Sequence, residues 1–253
     1  MRELERDPPP DAAACTRLAV VGRGRLGTAL AAALTDAGLE IFGPLGRGAG
    51  GSGADAVLLC VPDDQIARAA RSFPADALVG HCSGATGLDV LAPHESFSLH
   101  PLMTVTEQGP RFAGAGAAIA GSSTRALRLA GRLAEALGMN AVVIVDEDRA
   151  AYHAAASIAS NFLVTLEAAA ERVAASAAVP PQLLVPLVRA TVENWAALGP
   201  ERALTGPVAR GDETTVARQR AAIAQRAEDL LPLFDAMVEA TRALAGAREA
   251  GVL

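Results

Sequence analysis

Aromatic side chains are nearly missing from this 253-residue chain: six Phe, one Trp and one Tyr make up 3% of it. Such a supply argues against a β-sandwich, whose core leans on large flat side chains. The 51% hydrophobic content is carried largely by alanine and suits close-packed helices. Cysteine is also scarce. Cys15, Cys60 and Cys82 are odd in number and show no CxxC spacing, which excludes a disulfide framework and a zinc knuckle. Basic residues are outnumbered, 22 Lys and Arg against 28 Asp and Glu, and the net charge of -6 leaves no footprint for nucleic acid. The longest uncharged stretch, 150–166, contains Tyr152, His153, Ser157, Ser160, Asn161 and Thr165, so it reads as a soluble helix and not as a membrane span. The first ten residues, MRELERDPPP, mix both charge signs without an apolar run. Neither a secretory signal nor a transit peptide is read there, and the cytoplasm is the expected compartment.

What the chain does contain is a change of rhythm. Up to about residue 145, short aliphatic runs at 17–21, 39–42, 55–61, 77–80, 117–120 and 141–145 alternate with helical stretches, the first of them at 27–37. Strands separated by helices predict βαβ units and a parallel sheet. From residue 150 onward only helical windows appear, at 150–178, 181–198, 213–227 and 229–248, punctuated by Pro180-Pro181, Gly199-Pro200 and Gly206-Pro207. The expected fold class is α/β: a Rossmann-type dinucleotide-binding domain over 13–147, then an all-helical domain over 148–253. The glycine-rich stretch 46–55 reads as a surface loop.

The first βα turn carries Gly22-Arg23-Gly24-Arg25-Leu26-Gly27, a complete GxGxxG that directly follows a strand and opens a helix. Gly22 permits the tight turn, Gly24 removes the Cβ that would block a pyrophosphate, and Gly27 lets helix and strand approach. Helix-start N–H groups then face the phosphates. About 20 residues on, an NAD site would place Asp or Glu against the ribose hydroxyls. This chain has Phe42-Gly-Pro-Leu-Gly-Arg47 there. With no acid to repel a 2′-phosphate and with Arg47 to pair with it, helped by Arg23 or Arg25, NADP is favoured over NAD. Backbone at Val61-Pro62, after the third strand, borders the cofactor in folds of this kind, and Asp63 and Asp64 start the next helix.

His153, Ser157 and Asn161 stand at i, i+4 and i+8, so on a regular α-helix they share one face. Three hydrogen-bonding side chains on an alanine-rich face are either a satisfied polar seam or the wall of an active site. The single tyrosine, Tyr152, lies about 100° around the helix and reads as packing between domains. His100, ahead of Pro101, is expected in extended chain running between strands, where it would meet substrate or nicotinamide; His81 is a weaker candidate for the same contact. His94 and His100 lack ligand spacing and any Cys or carboxylate cluster, so no metal site is expected. In residues 203–212, ALTGPVARGD, Gly206-Pro207 shapes a turn and Asp212 caps the helix that follows. Arg210 on that turn could grip a carboxylate in bidentate fashion, with Thr205 adding a hydroxyl.

Taken together, CVPDDQI at 60–66, HCSGA at 81–85, SLHPLMT at 98–104, YHAAASIASNFLVTL at 152–166 and ALTGPVARGD at 203–212 give the chain a family likeness. Over residues 16 to about 248 it resembles the Rossmann-like oxidoreductases that carry a C-terminal helical domain of unknown function. They are a branch of the 6-phosphogluconate dehydrogenase-like superfamily that also holds ketopantoate reductases, pyrroline-5-carboxylate reductases and prephenate dehydrogenases. The resemblance implies an N-terminal NADP domain, a helical domain that builds a homodimer, and a substrate cleft. In ketopantoate reductases and related hydroxyacid dehydrogenases, the first long helix of the second domain presents a lysine with an asparagine four residues on, and ketopantoate reductases add another asparagine after four more. By position His153 replaces the lysine, Ser157 the first asparagine and Asn161 matches the second. The expected activity is therefore reduction of a carbonyl or imine on a small carboxylated metabolite, ketopantoate-reductase-like. A pyrroline-5-carboxylate- or prephenate-type reaction is the nearest alternative. A catalytically silent dinucleotide sensor or scaffold is an alternative of another class.

Overall fold

All six aliphatic runs picked out along the first 145 residues become strands of one sheet, and a seventh strand joins them. The structure, a computed structural model, describes residues 17–46, 48, 53–106 and 109–250, the side chains of 247–250 excepted. Arg47 lies outside the described residues. In chain order the elements are β1 (Arg17–Val21), α1 (Arg25–Asp36), β2 (Glu40–Leu45), β3 (Ala56–Leu59), α2 (Ile66–Ala70), β4 (Leu78–His81) and β5 (Glu95–Leu102). Then follow β6 (Gly116–Gly121), α3 (Thr124–Ala136), β7 (Asn140–Val143), α4 (Arg149–Ser157), α5 (Leu163–Ser176), α6 (Val185–Leu198), α7 (Pro200–Ala203), α8 (Glu213–Arg226) and α9 (Leu231–Ala250).

The sheet order is β2-β1-β3-β4-β5-β6-β7. Strands β1 to β5 are parallel, as the βαβ pattern requires, but β6 runs antiparallel to β5, with Leu99 opposite Ile119 and Pro101 opposite Ala117. The sheet is thus mixed and not wholly parallel, because the link from β5 to β6 contains no crossover helix. Alternation along each strand splits the core between two faces. Leu18, Val20 and Leu58 turn to the face covered by α1 and α3, with Leu30, Leu34 and Leu133 fully buried there. Ala19, Val21 and Leu59 turn to the other face, against Ile66, Phe73 and Leu91.

The seventh strand, β5, was not anticipated, and it corrects the placement of His100, which sits in a strand and not in chain between strands. Its signal was the period-2 alternation of Phe97 and Leu99 with Ser96, Ser98 and His100, obscured by Pro101. Pairing with β4 ends at Ser98, so at Pro101 only β6 runs alongside and the missing N–H is tolerated. The same overshoot carries His100 beyond the end of β4.

By contacts the chain divides into two compact units, residues 1–160 and 161–253. The regular elements of the second among its described residues are all helices, α5 to α9 among them, and it buries little: Val216, Ile223, Ala227 and Val238 are its buried hydrophobic residues. Ion pairs Arg172–Asp229 and Arg220–Asp235 tie its helices together. The expected helix 150–178 is interrupted by a π-helical turn over Ile158–Phe162. Asp212 caps α8 as anticipated, accepting from the Thr215 N–H at 3.0 Å.

Candidate functional site

The strand order reverses between β1 and β3, and in open α/β sheets ligands bind outside the carboxyl ends of the strands at such a point. A groove of about 740 Å³ lies there, lined by Gly22, Arg23, Gly24, Gly46, Cys60, Val61 and Pro62 among others. Gly22 has φ +125°, and a Cβ on it would fall 2.0 Å from the Cys60 carbonyl oxygen. A Cβ on Gly27 would meet the Gly22 oxygen at 2.1 Å. Gly24 differs: nothing lies within 4 Å of the place its Cβ would take. Two glycines of the motif therefore close the turn, and the third leaves an open cradle at the start of α1, the arrangement that admits a pyrophosphate.

One side of the groove is basic. The Arg23 guanidinium packs against Gly46 just beyond β2, where the acid of an NAD site would stand. Arg68 and Gln65 line the same groove and were not singled out from the sequence, although Arg68 follows Gln65 by one helical turn. Neither Arg23 nor Arg68 has an ion-pair partner among the described residues. Arg25 and Leu26 line a second hollow of about 360 Å³ that shares Gly24, Cys60 and Val61 with the first and continues to Asp63, Cys82 and Ser83. Here the Ser83 hydroxyl donates to Asp63 Oδ2 at 2.7 Å and accepts from the N–H groups of Ala85 and Thr86.

Beyond Ser83 the backbone of Gly84 meets the His100 ring, whose atoms lie 2.8 to 3.0 Å from where a Gly84 Cβ would be. His100 Nδ1 is 2.7 Å from the Tyr152 hydroxyl, and the His153 ring stands 6.2 Å away, centre to centre. Burial, and next the neighbouring His153, push the His100 pKa down to about 4, so its imidazole is neutral at physiological pH. Burial raises the Tyr152 phenol above its ordinary value. Under this cluster lies Arg149, 1% exposed, whose Nε donates to Asp146 Oδ1 at 2.6 Å and whose NH2 donates to the Ser98 hydroxyl at 2.8 Å. Residues 149, 152 and 153 form one face of α4, and 98 and 100 one face of β5. Sequence reasoning picked out His153 and His100 but not Arg149, Ser98 or the bond from Tyr152 to His100.

The other sequence candidates fall as follows. His81 is fully buried; its Nδ1 accepts from Ser83 N–H and its Nε2 donates to the Gly87 carbonyl, which leaves no ring nitrogen for a ligand. His94 donates from Nε2 to the Ala70 carbonyl. Ser157 ends α4, and the π turn after it changes the register, so regular α-helical spacing does not extend to Asn161. Asn161, Thr205 and Arg210 belong to the second unit, with Arg210 closing a 3₁₀ turn over Val208–Arg210. Among the described residues no three His, Cys, Asp or Glu side chains are grouped to hold a metal ion, and no helix is long and apolar enough to cross a membrane.

Residues 116–241 match the family described as a domain of unknown function, DUF2520. That stretch is a DUF2520 domain. The DUF2520 domain begins at β6 and so takes in the antiparallel end of the sheet as well as the helices. No curated protein matches the chain. Among solved structures, it is similar to a Bacteroides fragilis protein provisionally assigned as an NADP oxidoreductase, at 20% identity over 90% of this chain and 98% of that one, with a TM-score of 0.77. A Thermotoga maritima protein is similar at 25% identity over 92% and 99% of the two chains, with a TM-score of 0.76. A reductive aminase from Aspergillus terreus, in complex with NADPH and ethyl levulinate, is similar at 16% identity over 93% and 95%, with a TM-score of 0.62. The DUF2520 domain and the sheet ahead of it thus share one architecture with proteins of that kind.

Proposed function

We propose that this protein is an NADP-dependent oxidoreductase that reduces a carbonyl or imine on a small carboxylated metabolite. One observation carries the reading: the open cradle at Gly24 continues through Cys60 and Val61 to Ser83, and on Gly84, the next residue, packs the ring of His100, which in turn meets Tyr152 and His153. When bound, NADPH supplies the hydride. Gly22, Gly24 and Gly27 shape the pyrophosphate site, the backbone at Val61 and Pro62 borders the cofactor, and Arg47, helped by Arg23 or Arg25, answers a 2′-phosphate. His153 supplies or relays the proton, Ser157 and Asn161 orient the reacting oxygen, and His100 borders the substrate. Arg210, with Thr205, holds its carboxylate. The Bacteroides fragilis and Aspergillus terreus neighbours support NADP chemistry for the fold, and the aminase keeps imines alongside carbonyls as substrates.

A ketopantoate-reductase-like reaction is the most specific version, with pyrroline-5-carboxylate- and prephenate-type reactions next to it. A cytoplasmic homodimer through the helical domain belongs to the same reading. Val164, Leu187 and Trp195 are 68%, 64% and 57% exposed on α5 and α6, apolar surface that a second copy would cover. The test is a paired titration with NADPH and NADH, followed by an NADPH-consumption screen over 2-oxo acids and cyclic imines. Tighter NADPH binding with turnover on one panel member is the expected result. NADH binding as tight or tighter would remove the 2′-phosphate argument. Tight NADPH binding with no turnover on any panel member would mark a silent sensor.

A further inference from the structure

The site has a proton donor that neither the helix spacing nor the family likeness indicates. Tyr152 is the only tyrosine in the chain and is half-buried, while His153 beside it is exposed. Its hydroxyl lies 2.7 Å from His100 Nδ1, with the two rings edge to face at 5.5 Å. Three features hold the pair. Gly84 leaves room for the imidazole, β5 runs past the end of β4 to present it, and Arg149 pins the start of α4 to Ser98 two residues ahead of His100 on the strand. His100 Nε2 has no partner among the described residues. Ser83 lines the inner hollow, and Gly84, the residue after it, carries the His100 ring of the pair.

We propose that Tyr152 is the proton donor of the reduction and that His100 holds its hydroxyl and recharges it. This rests on the oxidoreductase reading. The substrate carbon takes the hydride from the reduced nicotinamide, and the C=O or C=N π bond opens onto its heteroatom. That atom takes the proton from the Tyr152 hydroxyl. The phenolate oxygen recovers a proton from His100 Nδ1–H, and Nε2 takes one from water, directly or by way of exposed His153. The sum is one hydride and one proton added across the double bond, with the dinucleotide left oxidised. His100 suits this part because a neutral imidazole has one nitrogen to give a proton and one to receive it. A phenol held protonated by burial is an acid that stays loaded at neutral pH.

The single tyrosine makes the test direct. Protein carrying [13Cζ]tyrosine gives one Tyr resonance, to be followed while NADPH, or 2′-phospho-ADP-ribose lacking the nicotinamide, is added; NADPH fluorescence reports binding independently. The resonance is expected to move with NADPH and to stay put with the shortened nucleotide. If NADPH binds and the resonance does not move, the proposal is overturned and the oxidoreductase reading stands. If NADPH does not bind, both fall. On a carbonyl or imine that is turned over, Tyr152→Phe is expected to lower kcat by about 100-fold or more with NADPH affinity kept. His100→Gln, which holds the hydroxyl but cannot pass on a proton, should lower kcat while leaving KM near its wild-type value and flatten the acidic limb of the pH profile. Wild-type turnover in Tyr152→Phe overturns the proposal.

Discussion

Arg149, at the first position of α4, donates a hydrogen bond to Ser98 in β5, 51 residues away, from inside the protein. The guanidinium is 2% exposed at its side chain and its second contact, Asp146, is 46% exposed, so a buried cation is anchored to a partly solvated carboxylate. Burial acts to raise the Asp146 pKa, but hydrogen bonds from Arg149 and the Leu88 N–H outweigh it and hold the carboxyl below its usual range. Arg149→Met keeps much of the volume and removes the charge and both bonds. It is expected to lose about 1 kcal/mol in urea unfolding, because buried Ser98 loses its donor while the half-exposed Asp146 carboxylate is rehydrated. A loss under about 0.5 kcal/mol would show that the strand and helix are held together by apolar packing alone.

Substituting the three motif glycines should give two different phenotypes. Gly22→Ala and Gly27→Ala drive a Cβ to within 2.0 and 2.1 Å of backbone oxygens. Each is expected to cost more than about 2 kcal/mol of stability. Gly24→Ala meets nothing and should unfold within about 0.5 kcal/mol of wild type. Its NADPH affinity should nevertheless fall at least about tenfold, about 1.4 kcal/mol. Urea curves beside fluorescence titrations separate the two; unchanged affinity in Gly24→Ala would remove the pyrophosphate from this turn.

Stability should fall on mild acidification through His81. Burial lowers its pKa from 6.5 to about 4, against the opposing pull of its bond to Gly87 and with the Arg149 charge adding to the drop. The unfolded chain therefore binds the proton more readily than the folded one. The contribution is whole above about pH 6.5 and declines as the pH falls toward 4. Between pH 7 and 5 the loss from His81 is about 2 kcal/mol. Urea midpoints at the two pH values measure it together with the like contribution of His100, also lowered to about 4 by burial, and histidine NMR separates the two by showing His81 neutral at pH 5 with the proton on Nε2. A midpoint that does not change with pH would contradict the assignment.

Gly84→Ala tests the seat of His100. Its Cβ would stand 2.8 Å from the imidazole, so the ring must turn away from Tyr152. The Tyr152 resonance is expected to shift toward that of an exposed phenol, and kcat to fall about tenfold or more. Wild-type values of both would mean that the ring has another place to sit.

Cys60 and Cys82 each follow the last residue of the neighbouring strands β3 and β4, with their Sγ atoms 3.6 Å apart. The Cys82 thiol is raised well above its usual range, first by the hydrogen bond to Cys60 and then by burial. Cys60 lines the groove. In a Cys15→Ser background at pH 8, iodoacetamide should alkylate Cys60 at least about ten times faster than Cys82. NADPH should protect Cys60. Equal rates by mass spectrometry would mean that the two thiols share one environment.

How far the sequence could be read depended on how local each signal was. Aliphatic runs at 17–21 and 55–61 announced buried strands because a strand covered on both faces needs apolar residues at every position. The glycine turn was legible because its three spacings are fixed by one turn of chain. Strand β5 was lost because Pro101 masked an alternation that only its neighbours β4 and β6 make structural. Arg149 was invisible for a related reason: a lone arginine in an alanine-rich segment looks solvated until Ser98, 51 residues earlier, is brought beneath it.

By itself, then, the sequence determined the two-part plan, the seven-strand region less one strand, the helical half and the position of the glycine turn. These follow from periodicity and backbone sterics within short windows. Only the tertiary structure decided that the sheet reverses at β6, that His81 is a core residue, and that His100 meets Tyr152. Each depends on which distant segments lie side by side, and a hydrogen bond acts over about 3 Å of space whatever the separation along the chain.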